Sequence, residues 1–458
     1  MRNFPFSPAH ICVLFFSWTA FGQDAAVTPF YVKVIDADSK RPVPLVEFRT
    51  SHQVRHVTDN AGAVVIDEPE LVGREVYFYI SSHGYEVEKD GFGYQGTRLQ
   101  IELGKSVTIE IQRKNRAERI GRLTGAGRFS NAIQAGLRKQ PANESAGVFG
   151  CDSVLNAVYK DRLFWIWGDT NKAGYPLGNF HSTGATTPLS LDLEAGFEFD
   201  FFENDSGFVK PVAKMPGEGP TWLTGLSVFP DAEGKPHLMA TYQKIKGFLT
   251  LYETGICEWN DAKQEFQKVS ELNLKSELPI GHPFEYEDEK GERWMVYADP
   301  IPTLKIPLRY EALLDPSQHV VVKPDVAFTD VETAEKIEPH RGHIAWNDYR
   351  KRWVMIFSEV NNERGKDDSR SQLGEVFFAE SKSPFGPWRR CLKVATHDHY
   401  SFYNPKQHPE FQKGEGRVIY FEGTYTTSFS RAKIPTPRWD YNQVLYRLDL
   451  EKLSLEQD

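Results

Sequence analysis

Residues 151–170 read CDSVLNAVYKDRLFWIWGDT, and the pattern in them returns four more times along the chain. A polar residue opens an apolar strand, a polar turn follows, and a second, aromatic-rich strand ends on another polar residue. The later copies are GLSVFPDAEGKPHLMATY (225–242), HPFEYEDEKGERWMVYAD (282–299), HIAWNDYRKRWVMIFSE (343–359) and HPEFQKGEGRVIYFE (408–422). Strand-favouring residues on both sides of a short polar turn are hairpin chemistry. The copies end at Asp169, Tyr242, Asp299, Glu359 and Glu422, a period of about 60 to 70 residues, far longer than the coils of a β-solenoid. The intervals leave room for two outer strands and their loops. Five four-stranded blades around an axis are therefore predicted for residues 146–458, in an all-β chain. The connector at 115–145, or the C-terminal YNQVLYRLDL, is expected to close the ring and cover its edge strands.

The stretch before the repeats reads as a separate unit. FYVKVIDADSKRPVPLVEF (30–48), VRHVTDNAGAVVI (54–66), EVYFYISSHGYEV (75–87) and KSVTIEIQR (105–113) alternate apolar and polar residues between turns, with no helical period. They predict a small β-sandwich over residues 23–114. The Thr58-to-Gly62 turn and the Gly84-Tyr85 pair resemble the transthyretin-like, carboxypeptidase-regulatory-like domains of secreted proteins, which implies an accessory role. The connector's basic residues are expected to form a solvated face. Upstream, Arg2, the apolar run Ile11–Phe21 and the small residues around Ala20-Phe21-Gly22 form a secretion leader over residues 1–22. A secreted or periplasmic protein with no integral membrane segment after cleavage is expected. Cys151, Cys257 and Cys391 would then remain, an odd number at wide spacing and no disulfide framework.

With a net charge of −9 the chain has no electrostatic footprint for nucleic acid. No phosphate-binding glycine loop or Gly-x-Ser-x-Gly elbow is present. The hairpin ends carry the chemistry instead. The strand starts are Asp152, Gly225, His282, His343 and His408, and the return ends are Asp169, Tyr242, Asp299, Glu359 and Glu422. Ring closure would bring these acids and imidazoles to one rim. Two carboxyl groups flanking a glycosidic bond suffice for hydrolysis, one donating a proton and one activating water. Asp152 is the expected base, Glu359 or Glu218 the acid, and Asp299 or Asp169 the tuning group. A poly- or oligosaccharide partner also fits the aromatics near these loops: Trp167, Tyr175, Phe180, Trp222, Tyr403, Tyr425 and Trp439. Polar groups for the sugar hydroxyls are expected from Asn171, Asn179, His181, Thr183, Asn404, Gln407, His408 and Glu422. Lys305, Arg309, His340, Arg341 and Lys406 offer cations for a uronate or sulfate.

Several phrases resemble the five-bladed furanosidase-like superfamily of glycosidases: CDSVLNAVYKDRLFWIWGD, AESKSPFGPW (379–388), YNPKQHPEF (403–411) and GEGP (217–220). The resemblance covers about 300 residues in architecture and only short patches in motif. It implies Asp152 as base and Glu218 as acid. The superfamily's third carboxylate opens a later inner strand; here Gly225 is the nearest counterpart, with His282 in the following blade, so the sequence departs from that pattern. Two other readings stay open. In a polysaccharide lyase acting on a uronate, His282, His343 or His408 would be base, Tyr403 acid, and Arg309, Arg341 or Lys406 the clamp. A lectin-like propeller would bind glycans without turnover. No cofactor is required by hydrolysis, and an axial calcium or zinc is a further expectation, with His282, His343 and His408 as the ligand set.

Overall fold

A computed structural model describes residues 28–141, 145–179, 181–360, 372–430, 432 and 440–455. Residues 1–22, expected to be a leader, and Phe180 and Trp439 lie outside the described residues, as do the side chains of Tyr175 and Asn179.

The first unit is a pair of four-stranded sheets. One runs Ala63–Ile66, Phe30–Asp36, Ser106–Arg113, Tyr85–Glu86; the other runs Arg55–Val57, Glu47–Thr50, Glu75–Ser81, Gly96–Gln100. Alternation puts Val32 and Val34 of one sheet against Phe48, Phe78 and Ile80 of the other, all buried. The Thr58-to-Gly62 turn closes as expected. Asp59 accepts hydrogen bonds from the backbone N–H of Ala61 and Ala63. Gly62 has φ +65°, and a Cβ there would lie 2.5 Å from the carbonyl oxygen of Val34.

Five larger sheets follow, together with a small three-stranded outer sheet of Val148–Cys151, Thr170–Lys172 and Tyr175–Asn179. Sheet 1 comprises Leu155–Tyr159, Arg162–Trp167, Thr183–Pro188 and Asp200–Phe201. Sheet 2 comprises Thr221–Pro230, Pro236–Lys246, Thr250–Asn260 and Glu265–Glu271. Sheet 3 comprises Phe284–Glu287, Arg293–Ala298, Pro302–Pro307 and Val320–Val321. Sheet 4 comprises Pro339–Asn347, Arg352–Glu359, Val376–Ser381 and Trp388–Ala395, with Val326–Asp330 added in parallel at the outer edge. Sheet 5 comprises Ser401–Gln407, Val418–Thr426, Asn442–Asp449 and the connector strand Glu118–Arg122. The connector and the C-terminal strand thus pair with each other, so both segments expected to complete the domain share one sheet.

Large apolar side chains fill each junction. Phe164 and Phe202 of sheet 1 and its outer loop meet Trp259 of sheet 2. Phe229 and Met239 pack with Tyr297 and Leu304, and Phe284 with Trp353. Ile356 and Phe378 pack with Phe402 and Phe421. Trp165 joins Tyr420 and Leu445, bringing sheet 5 back onto sheet 1. Each such side chain contributes about 1.5–3 kcal/mol on burial. The architecture is all-β and propeller-like: successive sheets pack face to face, and the fifth also touches the first.

The structure corrects the register of three hairpins. The inner strand of sheet 5 is Ser401–Gln407, so His408 stands at its far end and not at its start. Sheet 4 opens at Pro339, which makes His343 a mid-strand residue opposite Ile356. Sheet 2 opens at Thr221, and Gly225 lies in a bulge with φ +63°. Polar residues are tolerated inside these strands because neighbouring inner strands satisfy them, so polarity alone does not mark a strand end. A second correction concerns the connector. Arg119, Arg122 and Arg128 are 1%, 4% and 3% exposed, not a solvated face. Arg119 bolts the sandwich to sheet 5, donating to the carbonyls of Pro44 (2.9 Å) and His83 (3.0 Å). Cys151, Cys257 and Cys391 are free and buried.

Candidate active site

A cavity of about 760 Å³ opens where the starts of the inner strands converge. All five sheets or the loops beside them line it: Asp152 and Asp169 from sheet 1, Trp222 from sheet 2, His282 and Asp299 from sheet 3, His340 and Arg341 from sheet 4, Tyr403, Asn404 and Tyr441 from sheet 5.

Asp152 and Asp169 bracket the first hairpin. The Gly168 N–H donates to the carbonyl oxygen of Asp152 at 2.8 Å, which draws the two acids together. A larger residue at 168 would displace the Asp152 carboxylate, since a Cβ would lie 2.2 Å from its Oδ1. Tyr403 donates its hydroxyl proton to Oδ2 of Asp152 at 2.8 Å, and Trp222 Nε1–H donates to Oδ1 of Asp169 at 3.1 Å. Asn404 Nδ2 donates to the Ser153 hydroxyl at 2.6 Å, tying sheet 5 to the loop that carries Asp152. Burial and then the charge of Asp152 push Asp169 up to about 7. Asp152 is raised by burial, against the hydrogen bonds it accepts from Tyr403 and its neighbours. Tyr441, beside them, is raised by burial and by the Asp152 charge.

Asp299 stands on a different sheet. It accepts from the Arg341 guanidinium and from the Gly342 N–H at 3.3 Å. Burial raises this carboxyl, and Arg341 opposes the rise. His282 is held well below the usual imidazole range by burial and then by the nearby cations Lys406 and Arg341. His340 is pushed down to about 4 by burial, with Arg341 adding to it. Both imidazoles are therefore neutral at pH 7.

The structure brings together Asp152, Asp169, Asp299, His282, Trp222, Arg341, Tyr403 and Asn404. It does not bring the rest. Glu218 is solvent-exposed and offers only its carbonyl, which accepts from Tyr252. Glu359 is 3% exposed and does not line the cavity. His343 lies beneath His282, ring centres 5.7 Å apart. His408 is deeper still, bonded through Nε2 to Glu422 at 2.7 Å and through Nδ1 to Asn156 at 3.0 Å. Both ring nitrogens of His408 are engaged, and no group of three or more His, Cys, Asp or Glu side chains placed to hold a metal ion occurs among the described residues. Asn171 pairs with Gly150 in a small outer sheet, and His181 accepts from the Thr221 N–H at the edge of another groove. Arg309 bonds Gln318, and Lys305 lies 3.7 Å over the Trp294 ring, both away from the cavity. Trp167 is core at 1% exposed, and Tyr425 packs at the domain seam against His83.

Sequence reasoning missed Tyr441, Leu249 and Phe429, all lining the cavity. Leu249 and Phe429 are 60% and 58% exposed, large apolar side chains at its mouth. Their letters in KGFLTL and TSFSRA look like ordinary loop, and only the fold places them.

No family model and no curated protein matches the sequence. Three solved structures illustrate the likeness found. An exo-β-1,3-galactanase from Phanerochaete chrysosporium has a TM-score of 0.40 at 10% identity, covering 66% of this chain and 61% of that one. An arabinanase from Bacillus subtilis has a TM-score of 0.36 at 8% identity, covering 66% and 95%. The catalytic domain of an α-L-arabinofuranosidase from Coprinopsis cinerea has a TM-score of 0.37 at 11% identity, covering 73% and 96%. The likeness is distant.

Proposed function

We propose that the five sheets are blades of a closed propeller preceded by an accessory sandwich, and that the chain is a secreted or periplasmic glycoside hydrolase. The observation that carries the reading is the set of three carboxyl groups in one aromatic-edged cavity, two on sheet 1 and one on sheet 3. Asp169 is the proton donor. Asp152 beside it holds negative charge, and that charge keeps the proton on Asp169 near neutral pH. Because Asp152 and Asp169 share one hairpin end, the second catalytic carboxyl must come from elsewhere in the cavity. Asp299 fills that role as base or charge stabiliser, oriented by Arg341 and the Gly342 N–H. This moves the acid from Glu218 and Glu359 to Asp169, and the base from Asp152 to Asp299. Trp222, Tyr403 and Tyr441 provide faces and hydroxyls for a sugar ring.

The test is a panel of neutral and acidic polysaccharides read by new reducing ends and by ultraviolet absorbance. Reducing ends without absorbance are expected, and Asp169→Asn and Asp299→Asn should each lower kcat by about a hundredfold or more with the fold retained. An absorbing unsaturated product would show elimination instead. Binding without turnover would leave a lectin, and full activity in either variant would remove the assignment of roles.

A further inference from the structure

Leu249 and Phe429 are left over from the catalytic reading. Among the described residues that line the cavity of the three carboxyl groups, they are the large apolar side chains that stay exposed. Each sits on a tight turn. Leu249 ends the turn that joins Pro236–Lys246 to Thr250–Asn260 in sheet 2, and its N–H donates to the Gly247 carbonyl at 3.2 Å. Phe429 sits in the turn after Val418–Thr426 of sheet 5. That turn is tied down: the Thr427 N–H donates to Oδ1 of Asp440 at 2.7 Å, and the Ser430 hydroxyl donates to the Thr427 carbonyl at 2.6 Å.

Both residues lie in the left-handed region, Leu249 at φ +56° and Phe429 at φ +57°. Glycine or asparagine takes that conformation easily, and a bulky side chain does not. Ser153, Asn404 and Tyr441, which line the same cavity, share it. Such residues gather where a site holds side chains against the preference of the backbone.

The placement of the pair gives it a role. Sheet 1, which carries Asp152 and Asp169, packs against sheet 2 on one side and sheet 5 on the other. Leu249 and Phe429 therefore come from the two sheets that flank the proposed proton donor. Phe429 also packs edge-on against Tyr403, ring centres 5.7 Å apart, and Tyr403 donates to Asp152. Asp299, the other catalytic carboxyl of that reading, belongs to sheet 3. A general acid gives its proton to the leaving-group oxygen, so the departing unit lies on the Asp169 side, with Leu249 and Phe429.

We infer that Leu249 and Phe429 form the leaving-group subsite of this cavity and hold the departing unit by an apolar ring face, not by its hydroxyls. The inference rests on the hydrolase reading. Neither side chain can hydrogen-bond, so what settles there gains by covering apolar area. The hydroxyls of the unit that stays behind meet the carboxyl groups and Asn404 deeper in the cavity.

The experiment uses the full chain carrying Asp299→Asn, so that ligands stay whole. Calorimetry compares the methyl and phenyl glycosides of β-D-galactopyranose, β-D-xylopyranose and α-L-arabinofuranose. In at least one pair the phenyl member is expected to bind about tenfold more tightly than the methyl member. Leu249→Ser and Phe429→Ala, both at exposed positions, should each remove about threefold or more of that preference and leave methyl glycoside affinity unchanged. Equal binding in every pair, or none, overturns the inference, and so does a preference that survives in the double variant. Loss of methyl and phenyl binding together in Phe429→Ala would make Phe429 a support for Tyr403 and overturn it as well. The hydrolase reading is judged separately, by reducing ends from the unaltered chain. Turnover without a phenyl preference keeps the hydrolase and removes the subsite. A phenyl preference that depends on Leu249 and Phe429, without turnover, keeps an apolar ring site and removes the hydrolase.

Discussion

Asp169 stands at about 7 where a free aspartate stands at 3.8. In the role proposed for it, that of proton donor, it must be protonated at the moment of bond cleavage, so kcat/KM should fall on the alkaline side of pH 7. At pH 9 roughly one molecule in a hundred still carries the proton, and the rate should be down about a hundredfold. Burial is the larger cause of the rise and the Asp152 charge the second. Asp152→Asn removes only the second, so the alkaline limb should move down by about one pH unit and stop well short of 3.8. The assay is kcat/KM from pH 4 to 10 for wild type and variant. The same rise sets a stability signature. Between pH 3.8 and 7 the unfolded chain releases this proton while the folded chain keeps it, so stability falls as pH rises through that window and stays lower above it. A rise of this size corresponds to at most about 4 kcal/mol. Asp169→Asn keeps the acceptor for Trp222 and abolishes the titration. It should unfold at higher urea than wild type at pH 8 and at equal urea near pH 3.5. An alkaline limb unmoved in Asp152→Asn would refute the coupling between the two acids, and no stability gain at pH 8 in Asp169→Asn would refute the raised state of Asp169 itself.

Two other changes probe the supports of the site. Trp222→Phe removes the N–H that favours the ionised form of Asp169; the alkaline limb should rise slightly in a pH–rate profile while KM worsens through lost ring contact. Arg119→Met leaves the Pro44 and His83 carbonyls without their donor at a fully buried seam. It should cost about 2–4 kcal/mol in urea unfolding, with the sandwich becoming more protease-sensitive and kcat little changed.

Much of this was readable because strand alternation and turn chemistry are local. The five hairpins and the sandwich turn at Asp59–Gly62 follow from residues within reach of one another, whereas the connector strand pairs with a partner more than 300 residues away. Asp152, Asp169 and Asp299 were legible for the same reason: each stands within three residues of a strand of an obvious hairpin. The errors share one physical source. A polar residue in an inner strand can mark the rim or equally face the axis. His408 satisfies its ring with Asn156 and Glu422 from neighbouring strands, and His343 sits below His282 with its carbonyl accepting from Gln407. Such partners are 14 to 252 residues away in sequence and on other strands, so the letters of one strand do not tell rim from axis. The ionisable groups accordingly divide into two layers. Asp152, Asp169, Asp299 and Arg341 border the cavity, where charge can meet a substrate. His343, Lys406, Glu422 and His408 lie beneath, each no more than 5% exposed. Burial drives Lys406 below the usual ammonium range, and the described residues place no carboxylate within 4 Å of its nitrogen, which donates to the Gln407 carbonyl at 3.3 Å. A charge so placed contributes little to a ligand it cannot touch, but it lowers the affinity of His282 for a proton. The lower layer therefore acts on the upper one electrostatically, keeping a neutral imidazole at the floor of a cavity whose proton is carried by Asp169.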